Sequence, residues 1–279
     1  MQLILISGLS GSGKSVALKA LEDSSYFCVD NLPSTLITSL TSQLRGNEDK
    51  VAISVDARSA ATIAGLPAII ETLRQQEIDC RVIFLEANVE SLARRFSETR
   101  RPHPLAERIN GLAACIEEER RLLADIAVLG HRIDTSEVGP NVLRGWIKDL
   151  LSIDRSRITL SFQSFGFKHG IPLDADFVFD VRFLPNPYYD PKLRPLTGKD
   201  EEVIAFMRED LNVAHLIDDV ASFLFRWLPA FARDNRSALT VAIGCTGGQH
   251  RSVYIVSELA ERFGSQQQVL VRHRELKLN

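Results

Sequence analysis

Cysteine is scarce in this sequence, and the few cysteines form no recognisable pattern. Four cysteines occur among 279 residues, without the CxxC or Cys/His spacing of a zinc site or the density of a disulfide framework. Hydrophobic residues make up 45% of the chain and charged residues 25%, which is the composition of an ordinary folded protein. The sequence therefore excludes a disulfide scaffold and global disorder, and we expect Cys28, Cys80 and Cys115 to be core residues.

A charge excess and long hydrophobic runs are also missing. Lysine plus arginine number 33 and aspartate plus glutamate 36, so the net charge of -3 lacks the basic surplus of a dedicated nucleic-acid binder. Any RNA site must therefore be local. The apolar stretches are shorter than the roughly 18 residues that span a bilayer, and no cationic leader is present at the start. We expect a cytoplasmic protein with no membrane partner.

The residue pattern predicts an α/β fold with two domains, at residues 1–153 and 154–279. Short β-rich segments alternate with helical segments in the first half, which is typical of a parallel sheet with crossover helices. The predicted strands are residues 3–7, 27–30, 51–56 and 81–86. The predicted helices are residues 14–21, 36–44, 65–75, 89–98, 105–127 and 142–151, with Thr135 and Ser136 as a cap region before the last one.

The second half has its own set of elements. Strands are predicted at residues 157–164, 177–181 and 239–244, with a helix-rich segment at 200–232. Four prolines fall between residues 185 and 195, and Tyr188 and Tyr189 lie among them. We expect an ordered loop here, not a domain linker.

The strongest motif is a glycine-rich loop directly after the first predicted strand. Residues 8–15 match G-x-x-x-x-G-K-[ST] and precede a helical pattern, which is the context that the motif requires. Glycines let backbone amides surround phosphate oxygens, and a helix N-terminus favours anions. The sequence therefore predicts that a nucleoside triphosphate is bound by Gly8, Leu9, Ser10, Gly11, Ser12, Gly13, Lys14 and Ser15.

Side chains in and near this loop indicate its chemistry. Lys14 is the candidate catalytic cation, which neutralises the phosphates, and Ser15 is a candidate ligand of Mg2+. Asp30 and Asp56 each end a predicted strand, so either could complete the metal site or simply cap the following helix.

Arginines are dense just after the strand at residues 81–86. Arg94, Arg95, Arg100 and Arg101 could clamp phosphate oxygens from a lid, or they could form ordinary ion pairs on a solvated helix face. The sequence contains no Asn-Lys-x-Asp run, so nothing in it selects ATP over GTP.

A second glycine turn follows the strand predicted at residues 239–244. In residues 244–252, backbone amides together with His250 and Arg251 favour a phosphorylated ligand. Cys245 and Arg251 also fit the Cys-x5-Arg cradle of cysteine phosphatases, but Gly244 stands where those enzymes have histidine. Phosphate binding, a purely structural turn and thiol catalysis are the three alternatives.

The last residues of the chain form a weak basic patch. Arg272, Arg274 and Lys277 could contact an RNA backbone, which would make the interaction dependent on salt. A solvated terminal helix or strand is the simpler interpretation of the same charges.

Several segments, in this order, resemble the RapZ family, also called the YvcJ family, over almost the entire chain. They are residues 6–15, 29–33, 56–59, 180–187 and 244–252. The resemblance implies a bacterial nucleotide-binding protein with weak ATP and GTP hydrolysis. It also implies an N-terminal kinase-like domain with a phosphate-binding loop (P-loop), and a C-terminal α/β domain that resembles part of phosphofructokinase.

The resemblance further implies site residues and partners. Asp56, Ala57, Arg58 and Ser59 would contact the nucleotide. A phosphorylated amino sugar, glucosamine-6-phosphate, would occupy a pocket lined by His169, Asp180, Arg182, Asn186, Cys245, Thr246, Gly247, Gly248, Gln249, His250 and Arg251. Enterobacterial relatives bind small RNAs and hand one to a ribonuclease, and homo-oligomers are expected. This chain lacks their tail rich in lysine and arginine, which weakens the expectation of RNA binding.

These observations favour a regulatory binding protein with two anion sites, one in each half. The alternative function is a small-molecule kinase that transfers the γ-phosphoryl of ATP to a metabolite, with Lys14 and the arginines stabilising the transferred group. A pure RNA-binding module is a third hypothesis, and the small net charge argues against it.

Overall fold

The computed structural model describes residues 1–55, 65–99, 101–151, 158–233 and 238–276. The chain divides into two compact units, Met1–Ser152 and Ile153–Asn279. Each unit is an α/β structure built on a parallel sheet. The sequence predicts the α/β class of both units and the parallel sheet of the first. Within the described ranges, no helix is both long enough and apolar enough to cross a membrane.

The first unit alternates strands with helices along the chain. Its strands are β1 (Gln2–Gly8), β2 (Phe27–Val29), β3 (Lys50–Ser54), β4 (Asp79–Glu86) and β5 (His131–Asp134). Its described helices are α1 (Lys14–Glu22), α2 (Ile37–Leu44), α3 (Leu66–Gln75), α4 (Val89–Thr99), α5 (Leu112–Leu129) and α6 (Pro140–Leu151), with a 3-10 turn at Ser34–Leu36.

The sheet of the first unit has the strand order β2-β3-β1-β4-β5, with all described pairs parallel. Strand β1 is central, and every residue in it after Gln2 is buried. Helices cover both faces of such a sheet, so its strands have continuous hydrophobic runs. Because β1 lies in the middle, the loop that follows it emerges at the centre of the carboxyl edge of the sheet.

The second unit has four described strands in the order β7-β8-β6-β9, all parallel. The strands are β6 (Thr159–Gly166), β7 (Phe177–Asp180), β8 (Ala238–Cys245) and β9 (Gln268–His273). The helices are α7 (Glu201–Arg208), α8 (Leu211–Arg233) and α9 (Arg251–Gly264), and 3-10 turns lie at Phe167–His169 and Pro187–Tyr189.

The core of the second unit lies where α8 and α9 pack on one face of this sheet. Leu160 and Phe162 of β6 join Ile243 of β8, Leu224 of α8 and Leu259 of α9 in one hydrophobic cluster. Alternate residues of a strand point to opposite faces, so Leu160 and Phe162 lie on the same face of β6. The four described strands are parallel and the glycine turn follows the carboxyl end of β8. The turn therefore emerges at the carboxyl edge of the second sheet, as the loop after β1 does in the first.

Three local predictions in the first unit are wrong. Cys28 is not a core residue, because it lies on the edge strand β2 and is only partly buried. The helix predicted from residue 105 begins at Leu112, because residues 103–109 form tight turns and Gly111, with φ of 91°, precedes the helix. Thr135 and Ser136 do not cap the last helix, which begins at Pro140. The Thr135 hydroxyl instead contacts the phosphate-binding loop.

Candidate functional site

The loop between β1 and α1 has the backbone shape that phosphate binding needs. Gly8, Gly11 and Gly13 all have positive φ, at 141°, 83° and 104°. Such angles bring successive amides to one side of the loop at the start of a helix, where they can donate to an anion. The loop therefore has a defined, glycine-dependent conformation and is not a flexible turn.

Lys14 is the first residue of α1, and its side chain folds back over this loop. Its ammonium donates to the carbonyl oxygens of Gly8 at 2.6 Å and Leu9 at 3.1 Å. A lysine so placed lies beside the amides that would surround phosphate. A polyphosphate would therefore meet a positive charge and several N–H donors in one place.

Groups from α4 and from the end of β5 fix the far side of the loop. The Arg95 guanidinium donates to the carbonyl oxygen of Gly11 at 3.0 Å and to the Thr135 hydroxyl at 3.1 Å. The Thr135 hydroxyl donates to the carbonyl oxygen of Ser12 at 2.8 Å. Burial lowers the pKa of Arg95, but an arginine remains charged at any physiological pH. The prediction that Arg95 lies at the phosphate site therefore has a geometric basis.

A buried acid that sequence reasoning missed also contacts the loop. Glu119 of α5 is fully buried, and its carboxylate accepts hydrogen bonds from the amide and the hydroxyl of Ser10. The sequence does contain a pattern that points to Glu119. Glu119 falls on the apolar stripe of α5 with Cys115, Ile116 and Leu123, where a charged residue is out of place unless it has a partner.

A cavity of about 940 Å³ opens over the loop. It extends along the carboxyl edge of the sheet, from the end of β2 to the connection between β5 and α6, so the loop lies near its middle. Its wall contains Ser10, Gly11, Ser12, Gly13, Lys14, Ser15, Val16, Asp30, Asn31, Ser54, Arg94, Arg95, Phe96, Glu98, Thr99, Arg101, Pro102, Pro104, Thr135, Ser136, Glu137, Val138, Gly139, Pro140 and Leu143.

The cavity brings together many of the predicted nucleotide-site residues. The loop from Ser10 to Ser15, Asp30 and three of the four arginines, Arg94, Arg95 and Arg101, all line it. Gly8 and Leu9 form the start of the loop beneath it. Asp56, Ala57, Arg58, Ser59 and Arg100 lie outside the described residues.

The second glycine turn, between β8 and α9, surrounds the Cys245 thiol. The Cys245 sulfur lies 3.1 Å from the Ser252 hydroxyl and accepts a hydrogen bond from the Gly248 amide at 3.2 Å. Cys245 itself is 3% exposed. The thiol therefore serves as a hydrogen-bonding centre inside the turn.

Arg251, the first residue of α9, is directed into the protein. Its guanidinium donates to the carbonyl oxygens of Arg182 at 2.7 Å and Leu184 at 3.0 Å, and to the Thr246 hydroxyl at 3.3 Å. Arg251 is 4% exposed, and this burial lowers its pKa. Arg251 thus links the glycine turn to the start of the proline-rich loop.

The other predicted residues of the second site lie around the same turn. Asp180 and Arg182 form an exposed ion pair at 2.7 Å, and the Arg182 guanidinium stacks 4.0 Å above the Phe167 ring. His250 lies 3.3 Å from the carbonyl oxygen of Arg194, and the Asn186 side chain accepts from the Tyr188 amide. The turn therefore holds the proline-rich loop at both of its ends.

The turn is also packed closely against the end of β6. A side chain on Gly166 would approach the Gly247 backbone to 2.7 Å, and one on Gly248, which has a φ of 73°, would meet the Glu275 carboxylate at 2.4 Å. The Lys168 ammonium lies 4.0 Å from where a Cβ of Gly247 would be. Lys168 is thus a cation beside the turn amides, close to His169 in the 3-10 turn Phe167–His169.

The predicted basic patch at the end of the chain is largely committed to internal contacts. The Arg272 side chain is 3% exposed and lies 3.8 Å from the Asp174 carboxylate. The Arg274 guanidinium donates to the carbonyl oxygens of His169 at 2.6 Å and Gly170 at 3.0 Å. Neither arginine is the solvated cation that the RNA-contact prediction requires, and Lys277 lies outside the described residues.

The sequence matches two domains of one family in succession. Residues 1–155 match the RapZ-like N-terminal domain, and residues 158–277 match the RapZ C-terminal domain. A protein of Chromobacterium violaceum is 56% identical over 282 residues, covering 99% of each chain. One of Methylobacillus flagellatus is 55% identical and covers 100% of both chains. Both relatives bear the name nucleotide-binding protein.

Solved structures of small-molecule kinases show a weak likeness to about half of the chain. A gluconokinase from Sinorhizobium meliloti aligns with 54% of this chain and 92% of its own, at 16% identity and a TM-score of 0.37. A shikimate kinase from Acinetobacter baumannii aligns with 54% and 90%, at 15% identity and a TM-score of 0.38.

Proposed function

The chain belongs to the RapZ family, and on this premise we propose that it is a regulatory protein that binds a nucleoside triphosphate in its first unit and a phosphorylated amino sugar in its second. The observation that carries the proposal is the loop Gly8–Ser15, in which the Lys14 ammonium is held by the carbonyl oxygens of Gly8 and Leu9 at the start of α1. The names of the full-length relatives support the nucleotide part of it.

In the first unit, the triphosphate lies on the loop and the nucleoside lies along the connection between β5 and α6. Val138, Pro140 and Leu143 line that half of the cavity and offer apolar surface to a base. The Ser12 hydroxyl is buried without a hydrogen-bond partner among the described residues, so it can donate to a phosphate oxygen. Since no base-reading motif is present, we propose that both ATP and GTP bind.

Mg2+ fits the oxygen donors at this site. The Ser15 hydroxyl and the Asp30 carboxylate line the cavity and are the hard oxygen ligands that this ion prefers. The ion would neutralise charge on the terminal phosphates. Lys14, Arg94 and Arg95 supply further positive charge from the protein, so we propose slow hydrolysis of the bound nucleotide in the absence of an acceptor.

In the second unit, the phosphate of an amino sugar lies on the turn from Cys245 to Arg251. The turn offers amides at the N-terminus of the 14-residue helix α9, and Lys168 adds a positive charge beside Gly247. Asp180 and Asn186 are polar groups nearby that suit the amine and hydroxyls of such a ligand. We propose that the phosphate is bound here without attack by the Cys245 thiol. The Arg251 guanidinium, which would hold the phosphate in a cysteine phosphatase, donates instead to the carbonyl oxygens of Arg182 and Leu184.

Partners of the second unit complete the proposal. We propose that ligand occupancy biases the binding of a small RNA and a ribonuclease, and that the chain forms a homo-oligomer. Because Arg272 and Arg274 make internal contacts, we propose that other surface cations contact the RNA. Because each lost phosphate contact reduces the salt dependence of binding, the salt slope of RNA association measures how many cations take part.

Calorimetry with Mg-ATP and Mg-GTP tests the nucleotide site. Lys14→Met should abolish the binding heat of both nucleotides in a protein that still unfolds cooperatively. Lys19→Met is the matched control, since Lys19 lies on the same helix and its ion pairs with Glu22 and Asp23 are exposed. Wild-type protein that binds neither nucleotide, or a Lys14→Met variant that binds both normally, contradicts the proposal.

Calorimetry with glucosamine-6-phosphate tests the second site. Lys168→Ala should weaken binding, and Lys192→Ala, which removes an exposed cation from the proline-rich loop, should not. Absence of any binding heat for the wild-type protein would refute this half of the proposal and leave the nucleotide half intact.

A small-molecule kinase is the second candidate function. The observation in its favour is that the cavity continues beyond the loop to Asp30 and Asn31 at the end of β2, where an acceptor could face the terminal phosphate. A burst of ADP formation when one metabolite is added would favour the kinase. Slow ADP release that no metabolite accelerates would favour the regulator.

A further inference from the structure

We propose that Glu119 is a positioning residue for nucleotide binding, whose buried carboxylate holds the phosphate-binding loop in its binding conformation and joins it to the wall of the cavity. Glu119 lies on α5, 109 positions along the chain from Ser10 of the loop. The inference rests on the proposed nucleotide function of the same site.

The contacts of Glu119 are specific and use both carboxylate oxygens. Oε2 accepts from the Ser10 amide at 2.8 Å, and Oε1 accepts from the Ser10 hydroxyl at 2.7 Å. The His103 ring nitrogen Nε2 lies 3.2 Å from Oε2. The Glu119 side chain is 1% exposed, so water does not compete for these bonds.

The tautomer of His103 follows from its other contact. The Leu105 amide donates to His103 Nδ1 at 3.1 Å, so Nδ1 acts as a hydrogen-bond acceptor. Nε2 therefore carries the hydrogen and donates it to Glu119. With three donors directed at its two oxygens, the Glu119 carboxyl group has no need of a proton of its own.

The electrostatic balance agrees with this arrangement. Burial alone would raise the pKa of Glu119, but the hydrogen bonds from His103 and Ser10 and the charge of Lys14 outweigh it and hold the pKa below its usual value. A negative charge close to a phosphate site opposes the ligand. The three hydrogen bonds that the Glu119 carboxylate makes therefore best explain why a negative charge is buried here.

His103 extends the connection to the cavity wall. It lies between Pro102 and Pro104, which line the cavity, and its ring packs against Phe96 of α4 at a centroid distance of 5.3 Å. One carboxylate thus links the phosphate-binding loop to a segment of the cavity wall. Removal of Glu119 would release both at once.

Affinity measurements on two substitutions at Glu119 separate positioning from charge. Glu119→Ala removes all three contacts and should weaken Mg-ATP binding by about 10-fold or more, as small displacements of a binding group do. Glu119→Gln can keep them: its oxygen faces the Ser10 amide and His103, and its NH2 group donates to the Ser10 hydroxyl. We expect it to bind Mg-ATP within about 3-fold of wild type, on the same principle.

Binding of adenosine separates positioning of the loop from a general loss of structure, which would weaken adenosine and Mg-ATP binding alike. Glu119→Ala should change adenosine affinity much less than Mg-ATP affinity, because adenosine does not contact the loop. The matched control is Glu118→Gln, which removes an exposed ion pair with Arg121 one position away on the same helix. It should bind both compounds as wild type does.

Each outcome decides the inference. Normal Mg-ATP affinity in Glu119→Ala overturns it, and so does a Gln variant as weak as the Ala variant, since that would assign the effect to charge. If Glu119→Ala does not fold, Ser10→Ala removes only the hydroxyl contact, and unchanged Mg-ATP affinity there overturns the inference. Failure of wild-type protein to bind Mg-ATP would instead refute the proposed function.

Discussion

The α-carbon of Gly8 faces the carbonyl oxygen of Leu85 so closely that a Cβ on Gly8 would lie 2.0 Å from that oxygen. The same oxygen accepts a hydrogen bond from the Leu9 amide at 3.0 Å. Strands β1 and β4 therefore stay paired up to the first residue of the loop, and the neighbouring strand fixes the point at which the chain turns toward the phosphate site.

Gly8→Ala should disrupt both the loop and the sheet edge. The added methyl group must displace backbone of β4 and also tolerates the positive φ poorly, so we expect the free energy of unfolding to fall by about 2–4 kcal/mol. Urea denaturation measures this change. Gly145→Ala, in the interior of α6 with open space around it, should be neutral or stabilising by up to about 1 kcal/mol. Equal midpoints for Gly8→Ala and wild type would show that the contact is not tight.

Thr135→Val should loosen the loop without altering the shape of the side chain. It removes the hydrogen bond to the Ser12 carbonyl and one of the bonds that Arg95 donates, and a buried carbonyl left without a partner costs about 1–3 kcal/mol. We expect lower stability and weaker Mg-ATP binding, measured by denaturation and calorimetry. Thr72→Val, at an exposed position of α3, makes the same chemical change away from the cavity and should leave ATP affinity unaltered.

Arg251→Gln should release the proline-rich loop from the glycine turn of the second unit. The substitution leaves the carbonyls of Arg182 and Leu184 without their buried donor, which we expect to cost about 2–4 kcal/mol of stability. Amide hydrogen exchange should accelerate in residues 182–195. Arg262→Gln, on the same helix but in an exposed pair with Asp218, should not accelerate it. Unchanged exchange in Arg251→Gln would mean that the loop is held by other contacts.

The second unit should lose stability in mild acid through His273. Burial, together with the charge of Lys199, lowers the pKa of His273 to about 4 from its ordinary 6.5. Between these pH values the unfolded chain binds a proton that the folded chain does not, so stability falls as the pH falls. Allowing for partial solvent screening, we expect a loss of about 1–2 kcal/mol across this window.

Denaturation at about pH 7 and about pH 5 checks the sign of this effect. His273→Gln should reduce the difference between the two, because the substituted side chain does not titrate. His215→Gln, at an exposed position of α8, should show the same difference as wild type. A His273→Gln variant with the full wild-type pH dependence would assign the acid sensitivity to other groups.

The alternation of strands and helices and the phosphate-binding loop were predictable because both depend on local sequence. Strand β1 is a continuous apolar run, and the loop motif is contiguous, so neither requires knowledge of distant contacts. The predicted start of α5 is wrong because the helical residue pattern continues back to residue 105. In the structure, the contacts of His103 and the backbone conformation of Gly111 hold residues 105–111 in turns.

The side chains that support the sites could not be predicted from sequence in the same way. Thr135 and Glu119 reach the loop from positions far along the chain, and only the folded sheet brings them there. Arg251 was expected to contact the ligand directly, but it is turned inward to two carbonyls. A motif gives the residue types at a site, whereas the direction of each side chain depends on what surrounds it.

Amide hydrogen exchange with and without Mg-ATP tests the central claim most directly, because it reports on individual backbone groups. If the first glycine loop encloses a triphosphate, the amides of Gly11, Gly13, Lys14 and Ser15 should exchange more slowly when Mg-ATP is present, and those of residues 244–251 should not change. Unaltered exchange throughout residues 8–15 at saturating Mg-ATP, or protection confined to residues 244–251, would contradict the account.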